Sequence, residues 1–149
     1  MSALPVRTKL HHDVPSWAAD NATYFVTICT EARRVNHLCF PDVGHHVLES
    51  AVYRQTLMQW WLHLCLLMPD HVHMLVRPME RPGLAHAIYE WKKYTARHFR
   101  ISWQRDFFDH RLRSNESLLE KAEYILQNPV RAGLVADARE WPYVWKNPR

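Results

Sequence analysis

The chain has 149 residues, of which 48% are apolar and 23% are charged, and its formal net charge is +4. This length suits one domain with its own hydrophobic core. Because the sequence has only three glycines and neither a G-x-G-x-x-G nor a Walker-type motif, a phosphate-loop nucleotide enzyme is excluded.

The spacing of the cysteines and the hydropathy of the sequence exclude further classes of protein. Cys29, Cys39 and Cys65 are odd in number and lack C-x-x-C spacing, which argues against a disulfide framework and a zinc ribbon. The longest apolar run, residues 60–68, is too short to span a bilayer, and the first residues have no signal-peptide core. We therefore expect a cytoplasmic protein with buried thiols and no membrane partner.

The first part of the chain predicts a strand and a helix. Residues 1–22 show no periodicity and are expected to form an N-terminal arm. Residues 23–29 are rich in β-branched and aromatic side chains and predict the first strand. A helical pattern follows from residue 41 to about residue 58. Its expected buried stripe consists of Val43, Val47, Ala51 and Leu57.

The middle of the chain predicts a hairpin. Residues 60–68 are nearly all apolar, as is typical of a strand covered on both faces. A turn at Pro69-Asp70 then leads into a third strand, residues 71–77.

The last part predicts two helices around one strand. The second helix is expected at residues 84–100, and the fourth strand at residues 106–113. Ser114 or Asn115 is expected to cap a third helix, which Pro129 ends. The order strand, helix, two strands, helix, strand, with one extra C-terminal helix, predicts an α+β ferredoxin-like sandwich with an antiparallel sheet.

The third strand carries a histidine pair. His71 and His73 are two residues apart, so both side chains point to one face of the sheet, and Val72 and Met74 point to the other. Two imidazoles on one patch indicate a candidate metal site. The alternative is a pair of histidines without a ligand on a half-exposed strand.

The third helix carries a candidate nucleophile. Its apolar arc is expected to contain Leu118, Leu119, Ala122, Ile125 and Leu126. Tyr124 falls opposite the centre of that arc, and Asn128, four residues on, projects from the same side. The alternative is an exposed tyrosine followed by a C-capping asparagine.

A second tyrosine competes for this role. Tyr94 lies in a basic helix, as a DNA-cleaving residue could. On the helical wheel, however, it falls at the edge of the apolar arc that contains Ile88 and Trp91. We therefore expect Tyr94 to be a core aromatic residue.

Basic residues are concentrated between residues 77 and 113, where nine of them accompany four acidic residues. Such a cluster indicates a polyanionic partner, although a solvated helix face is the common alternative. Lys92, Lys93 and Arg97 could contact phosphates. Aromatic residues near the C-terminus and before the fourth strand could stack on unpaired bases, namely Trp103, Trp141, Tyr143 and Trp145.

Three segments resemble the single-tyrosine HUH transposases. They are the triplet His71-Val72-His73 after Met-Pro-Asp, the run FFDHRLR at residues 107–113, and the run AEYILQNPVRAGLV at residues 122–135. Within that superfamily the chain is most similar to the REP-associated tyrosine transposases, and the similarity covers residues 24–145.

The resemblance implies specific roles. Tyr124 would be the nucleophile, His71 and His73 would be ligands of Mg²⁺ or Mn²⁺, and Asn128 would replace the glutamine that many insertion-sequence relatives use as third ligand. If the fourth strand adjoins the histidine strand, His110 could also lie near the metal, although a structural role is favoured. The DNA-contacting residues would be Lys92, Lys93, Arg97, Arg111, Arg113 and Arg131.

The implied function is a metal-dependent endonuclease and strand transferase that acts on single-stranded DNA with palindromic hairpins through a 5′-phosphotyrosine intermediate. Residues 23–135 would form the catalytic domain and residues 136–149 a tail packed on it. One tyrosine must serve cleavage and rejoining, which favours movement of its helix or a homodimer. The protein would act in the cytoplasm, at the nucleoid.

Two alternatives remain open. The same scaffold could be a non-catalytic nucleic-acid-binding module with structural histidines. The histidine pair could also bind zinc together with Cys65, although no second ligand pair has zinc-finger spacing.

Overall fold

Five strands form one sheet in the computed structural model, which describes residues 22–113 and 117–148. The strands are β1 (Tyr24–Cys29), β2 (Trp60–Met68), β3 (His71–Pro78), β4 (Phe108–Arg111) and β5 (Val144–Lys146). The helices are α1 (Pro41–Thr56), α2 (Leu84–Phe99), α3 (Leu118–Leu126) and α4 (Asn128–Arg131), with a short 3-10 helix at Ala138–Glu140. The predicted N-terminal arm lies outside the described residues, except for Ala22.

The strand order is β4-β1-β3-β2-β5, and each neighbouring pair is antiparallel. The first four strands, with α1 between β1 and β2 and α2 between β3 and β4, have the predicted ferredoxin-like arrangement. The predicted α+β class is therefore confirmed. β5 extends the sheet beyond β2 and was not predicted as a strand. Within the described ranges, no helix is both long enough and apolar enough to cross a membrane.

β3 divides its side chains between the two faces of the sheet. Val72 and Met74 are buried with residues of α1 and α2, on what we call the α1/α2 face. Leu75 is buried with Ile125 of α3, on what we call the α3 face. Because strand side chains alternate, His71 and His73 lie on the α3 face. Their predicted common orientation is confirmed.

A bulge lets β2 bury both of its faces. The pairing of β2 with β3 shifts between Leu62 and Leu64, so one extra residue, His63, is inserted. Leu62 and Cys65 therefore pack on the α1/α2 face although three positions separate them, and Leu64 packs on the α3 face. This arrangement explains the nearly continuous apolar sequence of β2.

Two predicted stripe residues are exposed. Leu57 is 45% exposed because α1 ends before it, at Thr56. Leu119 is 68% exposed, since the buried stripe of α3 is narrower than predicted and only Ile125 is fully buried. Leu118, Ala122 and Leu126 are partly buried and pack with Ile125 on the α3 side of the sheet.

The prediction that Tyr94 is a core residue is wrong. Thr95, the next residue of α2, is fully buried and bonds to the Trp91 carbonyl, so the inward position is taken by a small side chain. Tyr94 is 37% exposed and stacks on His98, with 4.1 Å between ring centroids.

The start of α3 also differs from the prediction. Ser117 is the N-cap, and its hydroxyl accepts a hydrogen bond from the Glu120 amide at 3.2 Å. Ser114 and Asn115, the expected caps, lie outside the described residues. α3 ends at Leu126, just before Pro129, and Pro129 itself sits in the first turn of α4, where its missing N–H has no intrahelical acceptor to lose.

Candidate active site on the α3 face

The two imidazoles of β3 lie against each other. The ring centroids of His71 and His73 are 4.7 Å apart, and the ring planes meet at 79°. His73 is only 9% exposed, whereas His71 is half-buried. The pair therefore has one imidazole at the floor of the site and one nearer to solvent.

Asp70 orients His71 from the turn before the strand. Its Oδ1 lies 2.7 Å from His71 Nδ1, and its Oδ2 accepts hydrogen bonds from Arg33 Nε and the Arg34 amide at 3.0 and 2.7 Å. Burial alone would raise the pKa of Asp70, but these hydrogen bonds outweigh burial and hold that pKa well below its ordinary value. Asp70 therefore stays ionised and holds the His71 ring in one orientation.

Thr27 orients His73 from the neighbouring strand. The two residues are paired in the β1–β3 register, and Thr27 Oγ1 lies 2.9 Å from His73 Nδ1. Burial, followed by the charges of His71 and Arg131, lowers the pKa of His73 to about 3, so the ring is neutral at neutral pH. Because both Nδ1 atoms are engaged, both Nε2 atoms remain as candidate metal ligands.

Tyr124 lies on the helix that covers this face. Its neighbour Ile125 is fully buried against the sheet, whereas Tyr124 is 56% exposed, as expected for a residue opposite the apolar arc. Both residues belong to α3, and the histidines belong to the face that α3 covers. The nucleophile candidate and the histidine pair are therefore on the same side of the molecule.

Arg131 connects the elements of this region. Its Cζ lies 4.2 Å from the centroid of the Tyr124 ring, and its Nη2 donates to the Tyr124 carbonyl at 2.7 Å. The same Nη2 donates to Asn128 Oδ1 at 3.0 Å. Its charge also contributes to the low pKa of His73. One guanidinium therefore contacts both α3 and α4, and its charge acts on His73.

Lys121 and Phe25 form a second connection that sequence reasoning missed. Lys121 Nζ lies 5.6 Å from the centroid of the Phe25 ring and 5.7 Å from that of Tyr124. The Phe25 ring is in turn 5.3 Å from that of His73. The sequence contained one signal for this contact, since Lys121 precedes Tyr124 by three residues on a helix. Nothing local in the sequence indicated Thr27 or Phe25, because strand pairing brings them to the site.

The sequence predicts a divalent cation held by few protein ligands. Within residues 22–113 and 117–148, no group of three or more His, Cys, Asp or Glu side chains could hold a metal ion. The expected ligand set of His71, His73 and Asn128, with two imidazole nitrogens and one amide oxygen, therefore stays a prediction. Asn128 Oδ1 already accepts from Arg131, and an amide oxygen has a second lone pair for a cation.

Tyr94 and Cys65 are on the wrong face for this site. Tyr94 belongs to α2, and Cys65 is fully buried in the cluster on the α1/α2 face, so the sheet separates both from the histidines. Burial also raises the pKa of the Cys65 thiol, which disfavours the thiolate that zinc requires. The zinc site made of the histidine pair and Cys65 is therefore wrong.

His110 is not next to the histidine strand. β4 pairs with β1, and His110 lies opposite Phe25 in that register. β1 therefore separates β4 from β3, and the predicted adjacency of His110 to the histidine strand is wrong.

The predicted DNA contacts fall into separate regions. Arg131 lies in the candidate site, and Arg111 and Arg113 are exposed in and just after the edge strand β4. Lys93 and Arg97 are exposed on α2, which covers the other face of the sheet.

Lys92 has a contact within the protein. Its Nζ donates to the carbonyls of Gln104 and Arg105 at 2.7 and 3.0 Å. This ammonium group therefore holds the segment before β4, rather than projecting freely toward a phosphate.

The aromatic residues predicted to stack on bases are packed instead. Trp103 is buried, and its Nε1 donates to Thr95 Oγ1. Trp141 Nε1 donates to the Leu67 carbonyl at 2.9 Å, and Tyr143 and Trp145 pack against the core.

Comparisons with known proteins agree with the fold. No protein-family model matches the chain. A Haemophilus influenzae protein, provisionally named a REP-associated tyrosine transposase, is 29% identical in an alignment of length 141 that covers 80% of this chain and 77% of the relative. A solved structure of a REP-associated tyrosine transposase bound to a REP hairpin matches with a TM-score of 0.69 and 22% identity, over 83% of this chain and 76% of that one. The predicted resemblance of this chain to the REP-associated tyrosine transposases is therefore confirmed.

Proposed function

We propose that this protein cleaves and rejoins single-stranded DNA at palindromic hairpins and so acts in DNA transposition. The observation that carries the proposal is the contact of Arg131 with both Tyr124 and Asn128, on the face of the sheet that holds the histidine pair. A nucleophile, candidate metal ligands and a cation for a phosphate oxygen are thus available in one region. The name of the Haemophilus influenzae relative supports the same activity.

In the proposed reaction, Tyr124 Oη attacks the phosphorus of a phosphodiester. The Oη–P bond forms and the P–O3′ bond breaks, while the phenolic proton passes to water and the leaving 3′-oxygen takes up a proton. The products are a 5′-phosphotyrosine and a free 3′-hydroxyl. A 3′-hydroxyl can later attack the phosphotyrosine and restore the tyrosine, so rejoining needs no ATP.

His71, His73 and Asn128 would hold Mg²⁺ or Mn²⁺ through their Nε2 and amide oxygen atoms. When bound, the cation would polarise the phosphate and reduce its repulsion of the incoming phenol oxygen. Two nitrogen ligands favour Mn²⁺ over Mg²⁺, which prefers oxygen. Asp70 and Thr27 would keep each ring turned so that its Nε2 points to the ligand.

The DNA partner would be a hairpin with single-stranded flanks, because the structural relative is bound to a REP hairpin. We propose that Arg131, Arg111 and Arg113 contact phosphates near the cleaved bond. Lys93 and Arg97 would contact a more distant part of the same DNA, since they belong to the layer on the other face of the sheet.

The decisive experiment looks for a covalent adduct. The protein is incubated with a labelled hairpin oligonucleotide and Mn²⁺, then denatured and separated by electrophoresis. We expect a protein–DNA adduct with wild type and with Tyr94→Phe, and none with Tyr124→Phe. An adduct that persists in Tyr124→Phe would overturn the nucleophile. Hairpin binding without any adduct would favour the non-catalytic nucleic-acid-binding module.

Variants of the metal ligands test the second half of the proposal. We expect His71→Ala to abolish adduct formation and to leave hairpin affinity nearly unchanged, because affinity comes from phosphate contacts. His73→Ala should behave in the same way, with some loss of stability because the ring is buried. Loss of solubility and hairpin binding together would instead indicate histidines with a purely structural role.

Tyr124 and the histidine pair lie on the same side of one subunit, so we propose that each subunit uses its own tyrosine, even within a homodimer. A mixture of Tyr124→Phe and His71→Ala proteins should then form no adduct. Adduct formation by the mixture would show that a homodimer combines the tyrosine of one subunit with the histidines of the other. We further propose that the reaction takes place in the cytoplasm, on DNA of the nucleoid.

A further inference from the structure

Phe108 is an exposed aromatic residue at the margin of the candidate site. It is the first residue of β4, an edge strand in the described sheet, and it is 70% exposed. The other aromatic side chains considered for base stacking are packed in or against the core, as described above. Phe108 therefore offers a ring face that they do not.

The strand register places Phe108 in line with the histidine pair. Phe108 lies opposite Thr27 in the β4–β1 pairing, and Thr27 lies opposite His73 in the β1–β3 pairing. Directly opposed residues of antiparallel strands point to the same face, so all three side chains are on the α3 face. Each step across the sheet is about 5 Å between Cα atoms, which puts the Phe108 Cα roughly 10 Å from that of His73.

The charged side chains on the α3 face suit a nucleotide. Asp109 is the next residue of β4, but its side chain alternates to the other face of the sheet, so it is directed away from the ring. On the α3 face, Arg131 and Lys121 are the cations beside Tyr124. A strand of DNA whose phosphate lies at the histidines would thus find these cations and the Phe108 ring on the same face of the sheet.

We propose that Phe108 forms a base-stacking subsite for the unpaired nucleotide next to the cleaved phosphodiester. This inference rests on the proposed function, because it places that phosphodiester at the histidine pair. Every nucleobase has a π face, so the subsite would position the single strand with little preference for its sequence. Phe108 would be a positioning residue and would take no part in the chemical step.

The test measures binding without cleavage. Affinity is determined by fluorescence anisotropy, with metal omitted, for a hairpin with a single-stranded flank and for a series in which one flank nucleotide at a time is abasic. With wild type, we expect one abasic position to weaken binding roughly 5- to 100-fold. Phe108→Leu should weaken binding of the intact oligonucleotide by a similar factor, and the same abasic position should then cause no further loss.

Two variants serve as controls. Tyr53→Leu removes an aromatic residue that is 60% exposed on α1, and it should bind every oligonucleotide as wild type does. Phe108→Trp should retain the full affinity for the intact flank.

Two results would overturn the inference. The first is that Phe108→Leu binds every oligonucleotide of the series with the same affinity as wild type. The second is that Phe108→Leu loses as much affinity for a hairpin without a flank as for the hairpin with one. The covalent adduct is assayed separately with wild type, so failure of the proposed function is distinguished from failure of the stacking subsite.

Discussion

The guanidinium of Arg131 lies on the ring of Tyr124, with 4.2 Å from Cζ to the ring centroid, and it donates to both the Tyr124 carbonyl and Asn128 Oδ1. A flat cation on a flat ring restricts the rotation of the phenol. The hydrogen bond to the Tyr124 carbonyl joins α4 to α3, and the hydrogen bond to Asn128 lies within α4. Arg131 therefore sets the relative positions of the candidate nucleophile and the candidate amide ligand.

Replacing Arg131 by lysine keeps the charge but removes the guanidinium over the Tyr124 ring and the two hydrogen bonds of Nη2. We expect Arg131→Lys to slow adduct formation about 10- to 100-fold, because small displacements of a nucleophile are costly. Hairpin affinity should change little. Arg139→Lys, at an exposed arginine paired with Asp137, is the matched control. Equal rates for wild type and Arg131→Lys would contradict the positioning role.

Thr27 holds the buried imidazole, and its removal should weaken metal binding. Thr27→Val keeps the shape of the side chain but leaves His73 Nδ1 without its partner. We expect the affinity for Mn²⁺ to fall about 10- to 100-fold, as is usual when the outer partner of a ligating histidine is lost. Isothermal titration with Mn²⁺ measures this change. As a control, Thr56→Val changes an exposed threonine of α1 and should bind Mn²⁺ like wild type. An unchanged affinity of Thr27→Val for Mn²⁺ would refute the prediction.

Asp70 should make stability depend on pH. The pKa of Asp70 in the folded protein is below the ordinary value of 3.8. At a pH between these two pKa values, the unfolded chain therefore binds more protons than the folded protein. The stabilisation is therefore complete well above pH 3.8 and is lost as the pH falls below 3.8 toward the folded pKa. We expect Asp70→Asn to be less stable than wild type at pH 7, with a difference that shrinks in acid.

Urea unfolding of wild type and Asp70→Asn at several pH values between neutral and strongly acidic measures that difference. A difference in the free energy of unfolding that stays constant across this range would show that the carboxylate charge contributes nothing.

Lys92 should contribute more to stability than to DNA binding. Lys92→Met keeps the aliphatic stem and removes the hydrogen bonds to the carbonyls of Gln104 and Arg105. A charged hydrogen bond contributes about 1.5–3 kcal/mol, and we expect a decrease of several degrees in Tm. The salt dependence of hairpin binding should stay the same, whereas Arg97→Ala should flatten it. An unchanged Tm with a flatter salt dependence in Lys92→Met would identify Lys92 as a DNA contact.

Features governed by local periodicity could be predicted from the sequence. The spacing of apolar residues along the chain predicted the bounds of β2 and the order of the elements through β4. The same periodicity predicted the common face of His71 and His73 and the outward orientation of Tyr124. Those spacings do not reveal which helix covers which face of the sheet.

Tertiary packing determined the remaining features. It placed α3 over the histidines and α2 behind the sheet, which separates Tyr94 and Cys65 from the site. It also brought Thr27 to His73 and Phe108 into line with both, through pairings of strands that are far apart in the chain. The sequence alone determined what each side chain could do, and the long-range packing decided which of them act together, because periodicity within an element carries no information about its neighbours.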